Sequence, residues 1–152
     1  MDVGRSPVHI ALKPDGGEVF VVNAASDSVS EIISGTDDVQ GAYMMGDTPV
    51  RGLVSRDNAM LYVANQRSQN VIAYAINDGR RAGWVRVGDG PSSMTFSAAG
   101  HLLFVADRNS NDVAVVRTAN MVARGGGSSA LFTLIPTGRS PNDIVDKSFT
   151  VQ

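Results

Sequence analysis

Three ten-residue stretches share one pattern and decide the fold: FVVNAASDSV (20–29), YVANQRSQNV (62–71) and FVADRNSNDV (104–113). Each begins with an aromatic and a valine, passes through a polar run with serine at a fixed place, and ends on valine. Each starts 42 residues after the previous one (62 − 20 and 104 − 62). Similarity at a fixed period of this size indicates a repeat architecture. The chain is therefore predicted to contain one structural unit three times.

The same period holds at the start of each unit. A glycine stands three residues before a proline at Gly4–Pro7, Gly46–Pro49 and Gly88–Pro91. Pro141 follows Pro91 by 50 residues rather than 42, so the third unit carries eight extra residues. We place them in RTANMVARGGGSSAL (117–131) and predict a flexible loop around its Gly-Gly-Ser run.

Each unit contains four short runs of β-branched and aromatic residues bounded by turn residues, a pattern typical of strands. In the second unit they are VRGLV, LYVA, VIAYAI and WVRV, and no stretch of the chain shows a convincing helical period. A repeat of about 40 residues with four strands indicates a β-propeller blade. We predict an all-β, incomplete propeller of three four-stranded antiparallel blades plus the first strand of a fourth. The predicted blades span 3–45, 46–87 and 88–137, and the terminal inner strand spans 138–152.

The polar run of each stretch is interpreted as a loop template. Asn65 ends the second strand of its unit, and we predict that its side chain bonds the backbone of the following loop in an Asx turn. Ser68 is expected to do likewise. Asp107 replaces the asparagine in the third unit, and we expect the change to be mild because both residue types make this turn.

The three stretches, each preceded by a GxxP connection and a DG-like turn, resemble YVTN-type β-propeller repeats over nearly the whole chain. This resemblance is specific for fold and poor evidence for function, because such propellers serve as surface proteins, binding modules and, in distant relatives, cofactor-bearing enzymes. It implies a periplasmic or extracellular protein, although MDVGRSPVHI at the start lacks the apolar region of a signal peptide. It also implies that any ligand would sit at the entrance of the central channel.

Composition excludes several classes of protein and site. The formal net charge of −2 gives no basic excess for nucleic-acid binding, and no apolar run approaches a membrane span. The absence of cysteine excludes disulfides, thiolate metal sites and a cysteine nucleophile. No Walker loop, GxSxG or HExxH motif occurs. We therefore expect no catalytic residues, metal or cofactor in this chain.

Two functions from different classes remain open. The first is a non-catalytic binding or scaffold module; a structural cell-surface repeat protein without a small ligand is kept beside it as a separate hypothesis. The alternative is a fragment of a propeller enzyme, lactonase-like or a cofactor-dependent oxidoreductase, whose catalytic residues lie in blades outside this sequence. A lactonase-like metal site would need several inward carboxylates, and Asp143 with its neighbour Asn142 meets that need only weakly.

The candidate binding residues are polar positions within apolar strands. The second residue after each proline is His9, Arg51, Ser93 and Asp143. By analogy with other propellers these residues surround the channel entrance. Arg5 and Arg139, in the two GRSP segments, belong to the same loop face. Arginine presents a fixed fork of donors that suits carboxylate or phosphate, so we predict a small anionic ligand. The competing interpretation is a rim of exposed Arg–Asp ion pairs, each contributing little.

The number of blades predicts partners. Propellers have four to eight blades, so three leave two sheet faces uncovered. We expect Val21, Ile32, Val105 and Val115 to lie on these faces and to promote association. The cover would come from further blades of the same protein or from self-association into an oligomer. A head-to-tail pair of chains is disfavoured, because the first strand at each end would compete for one place.

Overall fold

The computed structural model describes residues 2–123 and 125–147, which form three four-stranded antiparallel sheets with strands in chain order. The first sheet contains β1 (Pro7–Leu12), β2 (Glu18–Asn23), β3 (Ser28–Ile33) and β4 (Asp38–Met44). The second contains β5 (Pro49–Val54), β6 (Met60–Asn65), β7 (Asn70–Ala75) and β8 (Arg80–Arg86). The third contains β9 (Pro91–Phe96), β10 (Leu102–Asp107), β11 (Asp112–Arg117) and β12 (Leu131–Pro136). The predicted all-β architecture of propeller blades is confirmed.

The first strands of the sheets, β1, β5 and β9, lie side by side and are therefore the inner strands. In each blade the residue after the proline is an extra residue in the pairing with the second strand. The residues skipped in this way are Val8, Val50 and Ser92. A bulge of this kind changes the direction in which the next side chain points. The second residue after each proline is thereby set at the same place in every blade.

Two apolar interfaces hold the blades together. Side chains at most 8% exposed fill the first interface: Ala11, Phe20, Val22 and Val29 from the first blade, and Val54, Leu61, Val63, Tyr74 and Ile76 from the second. The second interface joins Tyr62, Ala64, Val71, Ala73, Val85 and Val87 to Met94, Leu103, Val105, Ala114 and Val116. Equivalent repeat positions make both interfaces. Leu61 and Val63 of β6 face the first blade, and Leu103 and Val105 of β10, 42 residues later, face the second.

The outer face of the first blade is apolar, as expected. Ile10 and Leu12 of β1 are 64% and 60% exposed. Val21 lies directly opposite Ile10 in the β1–β2 register and so faces the same side, but it is only 6% exposed. Ile32 pairs with Val19 beside them and is partly exposed. The open face therefore continues across three strands of the first sheet.

The placement of Val105 on the open face of the third blade was wrong. Val105 is fully buried against the second blade, because the odd-numbered positions of β10 face backwards like Leu61 and Val63 of β6. Val115 lies outside both interface clusters and opposite Phe104 in the β10–β11 register. Phe104 and Val115 thus lie on the side of the third blade that faces away from the second, but Val115 is only 3% exposed, so this side is not an open apolar surface.

The insertion in the third blade is more ordered than the predicted loop. Thr118–Ala123 forms a helix, α1, and Ser128–Ala130 a 3-10 helix, so the expectation of no helix was wrong. Met121 on α1 is fully buried in the second interface, which explains why six residues suffice to fix a helix here. Within the described residues no helix is long and apolar enough to cross a bilayer.

The segment after β12 runs beside the inner strand of the third blade. Ser92 Oγ donates to the Pro141 carbonyl oxygen at 3.3 Å, and Ser93 Oγ donates to Asp143 Oδ1 at 2.6 Å. The segment thus lies against β9 as β5 lies against β1. Residues 141–147 form no strand, and the rest of the predicted inner strand, 148–152, lies outside the described residues.

Candidate ligand site at the channel entrance

Side-chain hydrogen bonds join the GxxP connection of each blade to its N-x-x-S loop. In the second blade, Asn65 Oδ1 accepts from the Gly46 amide at 3.0 Å and Ser68 Oγ accepts from the Asp47 amide at 3.1 Å. The predicted local Asx turn was wrong, since Asn65 bonds a segment 19 residues before it. The repeated asparagine and serine therefore fix the entry of the chain into the blade.

This joint requires glycine. A Cβ atom on Gly46 would lie 2.5 Å from Ser68 Oγ and 2.7 Å from Asn65 Cγ, far inside van der Waals contact. Gly4 and Gly88 meet the equivalent side chains at similarly short distances. The recurrence of glycine three residues before each proline thus has a steric cause. Because the joint precedes the inner strand directly, it also positions the polar residue that follows the bulge.

The structure brings His9, Arg51, Ser93 and Asp143 together along the inner strands. The Gly52 amide donates to His9 Nδ1 at 3.3 Å, which links the first two blades. Arg51 lies within electrostatic reach of both His9 and Asp143, and Ser93 holds Asp143. We call these four residues the entrance cluster. The anion-binding role predicted for them stays a prediction.

The protonation states in the entrance cluster follow from its contacts. Burial first, and then the Arg51 guanidinium, lower the pKa of His9, so this half-buried imidazole is neutral at pH 7. Its Nδ1 accepts from Gly52, which leaves the proton on Nε2 as a donor. Hydrogen bonds from Ser93 and from the Ile144 amide lower the pKa of Asp143, so this exposed carboxylate is a weak base.

The two predicted outer arginines do not join the entrance cluster. Arg5 Nη2 donates to the Ala25 carbonyl oxygen at 3.1 Å, so its guanidinium is directed to its own loop. Arg139 is exposed on the segment after β12, and across residues 2–123 and 125–147 no hydrogen bond links either arginine to the cluster. Of the three predicted arginines, only Arg51 lies near the other residues of the entrance cluster.

The competing interpretation of a rim neutralised by Arg–Asp ion pairs stays a prediction, because Arg51 and Asp143 still interact electrostatically without a close ion pair in the described part of the chain. The ion pairs found there join Lys13 to Asp15 and Glu18, and Arg80 to Asp78, all at the opposite ends of the strands. The loop-face aspartates are hydrogen-bonded instead, as Asp89 is to Gln69 Nε2 at 2.9 Å.

The chemistry open to the entrance cluster is recognition by hydrogen-bond donors. Arg51 and His9 Nε2 supply donors, whereas the lone pair that would make His9 a general base is occupied by Gly52. In the same described residues, no group of three or more His, Asp or Glu side chains could hold a metal ion. Ser93 donates to a carboxylate that is a weak base, so it is not activated as a nucleophile.

Sequence reasoning missed Gly52 as part of the site. The signal was present, because the equivalent positions in the other units are Ile10 and Met94. A Cβ on Gly52 would lie 3.2 Å from Val22 Cγ2 and 3.3 Å from Ala11 Cβ, so glycine lets β5 approach the first blade closely. That approach allows its amide to reach His9.

Comparisons with known proteins agree with this architecture. Hydrazine synthase of Kuenenia stuttgartiensis superposes with a TM-score of 0.82 at 28% identity, over 94% of this chain and 40% of that one. A protein of Bacteroides fragilis provisionally named a 6-phosphogluconolactonase superposes with a TM-score of 0.79 at 19% identity, over 94% and 42%. Its namesake from Bacteroides uniformis gives 0.75 at 17%, over 92% and 43%. No curated protein matches the sequence significantly.

The chain spans about two fifths of the length of these solved structures. A family model described as a lactonase, 7-bladed β-propeller, matches residues 3–122, which include most of the three sheets. Three of the blades of such a ring are present in the described residues. On this match and this architecture, the chain belongs to the seven-bladed β-propeller lactonase family.

Proposed function

We propose that this chain is a recognition part of a β-propeller and that it binds a small carboxylate or phosphate at the channel entrance through Arg51 and His9. One observation carries the proposal: a half-buried guanidinium without an ion-pair partner among the described residues stands beside a neutral imidazole donor. A guanidinium binds both oxygens of such a group at once, and partial burial strengthens the attraction relative to water.

The entrance cluster is expected to bind weakly in this chain. Asp143 opposes an incoming anion, although Ser93 and the Ile144 amide already use its Oδ1. With His9 neutral, the charges of Arg51 and Asp143 cancel. Affinity in the millimolar range is the consistent expectation, since only one charged donor carries the contact.

Titration of the folded chain with succinate and with inorganic phosphate at low salt tests the proposal. Arg51→Ala should weaken binding about tenfold, which corresponds to about 1.4 kcal/mol. Added salt should weaken the wild type. Arg80→Ala is the matched control, because this exposed arginine pairs with Asp78 away from the entrance. Equal affinities for wild type and Arg51→Ala, or no binding at millimolar ligand, would reduce the entrance to an ordinary solvated rim.

The second candidate function is part of a lactonase, and the family match favours it. The Bacteroides proteins carry the name of an enzyme for a phosphorylated lactone, and Arg51 would suit the phosphate of such a substrate. The catalytic groups would then lie in blades outside this sequence. Assays of lactone hydrolysis with and without divalent metals should find this chain inactive. Turnover that is lost in Asp143→Asn would instead make the chain itself an enzyme.

The cellular location proposed for this protein is the periplasm or the cell exterior, as the YVTN-like repeats suggest. Fractionation of cells that express the complete gene product tests the location. Recovery of the protein in the cytoplasmic fraction alone would contradict it.

A further inference from the structure

The third blade replaces a hydrogen-bonded amide pair with two carboxyl groups. In the second blade, Asn65 and Asn70 are cross-strand partners, and Asn65 Nδ2 donates to Asn70 Oδ1 at 2.9 Å. In the third blade, Asp107 and Asp112 are partners in the same register. The Oδ1 atoms of both aspartates are buried and have no hydrogen-bond partner. Asp107 keeps the bond to the Gly88 amide that Asn65 makes to Gly46, but the contact with its cross-strand partner needs a donor that ionised carboxylates lack. The expected mildness of the Asn-to-Asp exchange stays a prediction.

One proton on this pair would supply the missing hydrogen-bond donor between the two carboxyl groups. Two adjacent carboxylates in a buried place resist simultaneous ionisation, whereas one proton converts the contact into an O–H···O⁻ hydrogen bond. Asp107 is fully buried, and that burial, together with Asp112, raises the pKa of Asp107 to about 7. Backbone hydrogen bonds from Gly88, whose amide lies 3.0 Å from Asp107 Oδ2, and from Ala114 offset part of this cost.

We propose that Asp107 and Asp112 share one proton, and that loss of this proton above neutral pH destabilises the joint at which the chain enters the third blade. The joint is the Gly88–Asp89 connection, whose amides are held by Asp107 and Ser110. The homologous joint in the second blade, with Asn65 in place of Asp107, stays insensitive to pH. The protein thereby contains a responsive joint and an unresponsive one in the same chain.

The charged residues around the pair are few. Asp112 on β11 is the titratable group that acts on Asp107. Neighbouring segments carry Asp89 on the entering connection, Arg108 on the following loop and Arg139 after β12, and all three are exposed to solvent. Water screens these exposed charges, so the buried pair dominates the response.

Amide hydrogen exchange resolved by residue tests the proposal on the whole chain. Between pH 5.5 and 8, the protection of the Gly88 and Asp89 amides should fall about tenfold after correction for intrinsic exchange. The opening equilibrium that this proton controls shifts about tenfold for each pH unit above the pKa. Protection of Gly46 and Asp47 should stay level and is the internal control. Asp107→Asn, which restores the residue of the other two blades, should abolish the fall. Asp89→Asn should leave it unchanged.

Three outcomes would overturn the proposal. Equal pH responses at both joints would show that the acidic pair has no special role. A response that persists in Asp107→Asn would assign the titration to another group. Protection that rises with Ca²⁺ and falls with a chelator would show that a metal ion, rather than a proton, joins the two carboxylates.

Discussion

Replacing Asn65 with alanine removes the side chain that holds the entry into the second blade. Asn65 is fully buried and makes three hydrogen bonds, with the Gly46 amide at 3.0 Å, the Val63 carbonyl at 3.2 Å and Asn70 Oδ1 at 2.9 Å. Alanine leaves the Gly46 amide and Asn70 Oδ1 without these partners. The change in the free energy of unfolding therefore measures how much the repeated asparagine stabilises the fold.

The expected destabilisation is about 3 kcal/mol. Each buried or half-buried polar group left without a partner costs about 1–3 kcal/mol, and two groups are affected. Urea unfolding followed by circular dichroism measures the change. With an m-value of about 1–3 kcal/mol per molar urea, the midpoint should fall by about 1–3 M while the m-value stays constant.

Asn77→Ala is the control for this measurement, because Asn77 is an exposed asparagine in the turn between β7 and β8. Its effect should stay within about 0.5 kcal/mol. Ser68→Ala, which removes one bond to the Asp47 amide, should fall between the two at about 1 kcal/mol. A loss for Asn65→Ala no larger than for Asn77→Ala would refute the view that these side chains fix the joint.

Three further outcomes are expected. Light scattering should show self-association of the chain through the open apolar face of its first blade, and Ile10→Lys, which changes a side chain 64% exposed, should reduce it; a monodisperse wild-type monomer would contradict this. Met121→Ala should cost about 2–5 kcal/mol in urea unfolding, since Met121 is fully buried, and a loss below 1 kcal/mol would make α1 dispensable. Because the pKa of His9 is lowered in the folded state, its contribution to stability is present above pH 6.5 and is lost as the pH falls below that value. The melting temperature of His9→Gln should therefore fall less than that of the wild type between pH 7 and pH 5. Parallel falls in the two proteins would contradict this assignment.

The repeat made the fold predictable, because the 42-residue period shows how many blades the chain contains and, within each blade, the order of the strands. The faces of individual strands were harder to predict. Val105 and Val115 both lie in apolar strands, and only the packing of Leu61 and Val63 in the neighbouring blade shows which face points backwards. Strand propensity alone carries no information on that choice.

The entrance cluster was predictable in part for the same reason. Positions two residues after each proline could be read from the sequence, so His9 and Arg51 were found together. The contacts of Asn65 with Gly46, and of Asp107 with Asp112, join residues whose relation depends on side-chain direction in three dimensions. The turn preferences of asparagine predicted a local hydrogen bond, but in the folded chain Asn65 accepts from the Gly46 amide, 19 residues before it.

The insertion in the third blade has a consequence for how the molecule unfolds. Gly83 leaves room for the Met121 carbonyl, and the Gly127 amide donates to the Trp84 carbonyl oxygen at 2.8 Å, so this segment bonds the outer strand of the second blade. In a protein built of repeats, the cooperativity of unfolding depends on how strongly each repeat is coupled to its neighbours. The insertion thus adds hydrogen bonds between the third blade and the outer strand of the second. The outer strand of the first blade meets the second blade through packing, with the rings of Tyr43 and Tyr74 4.6 Å apart. We therefore expect the first blade to open as a separate unit at lower free energy, while the other two unfold together.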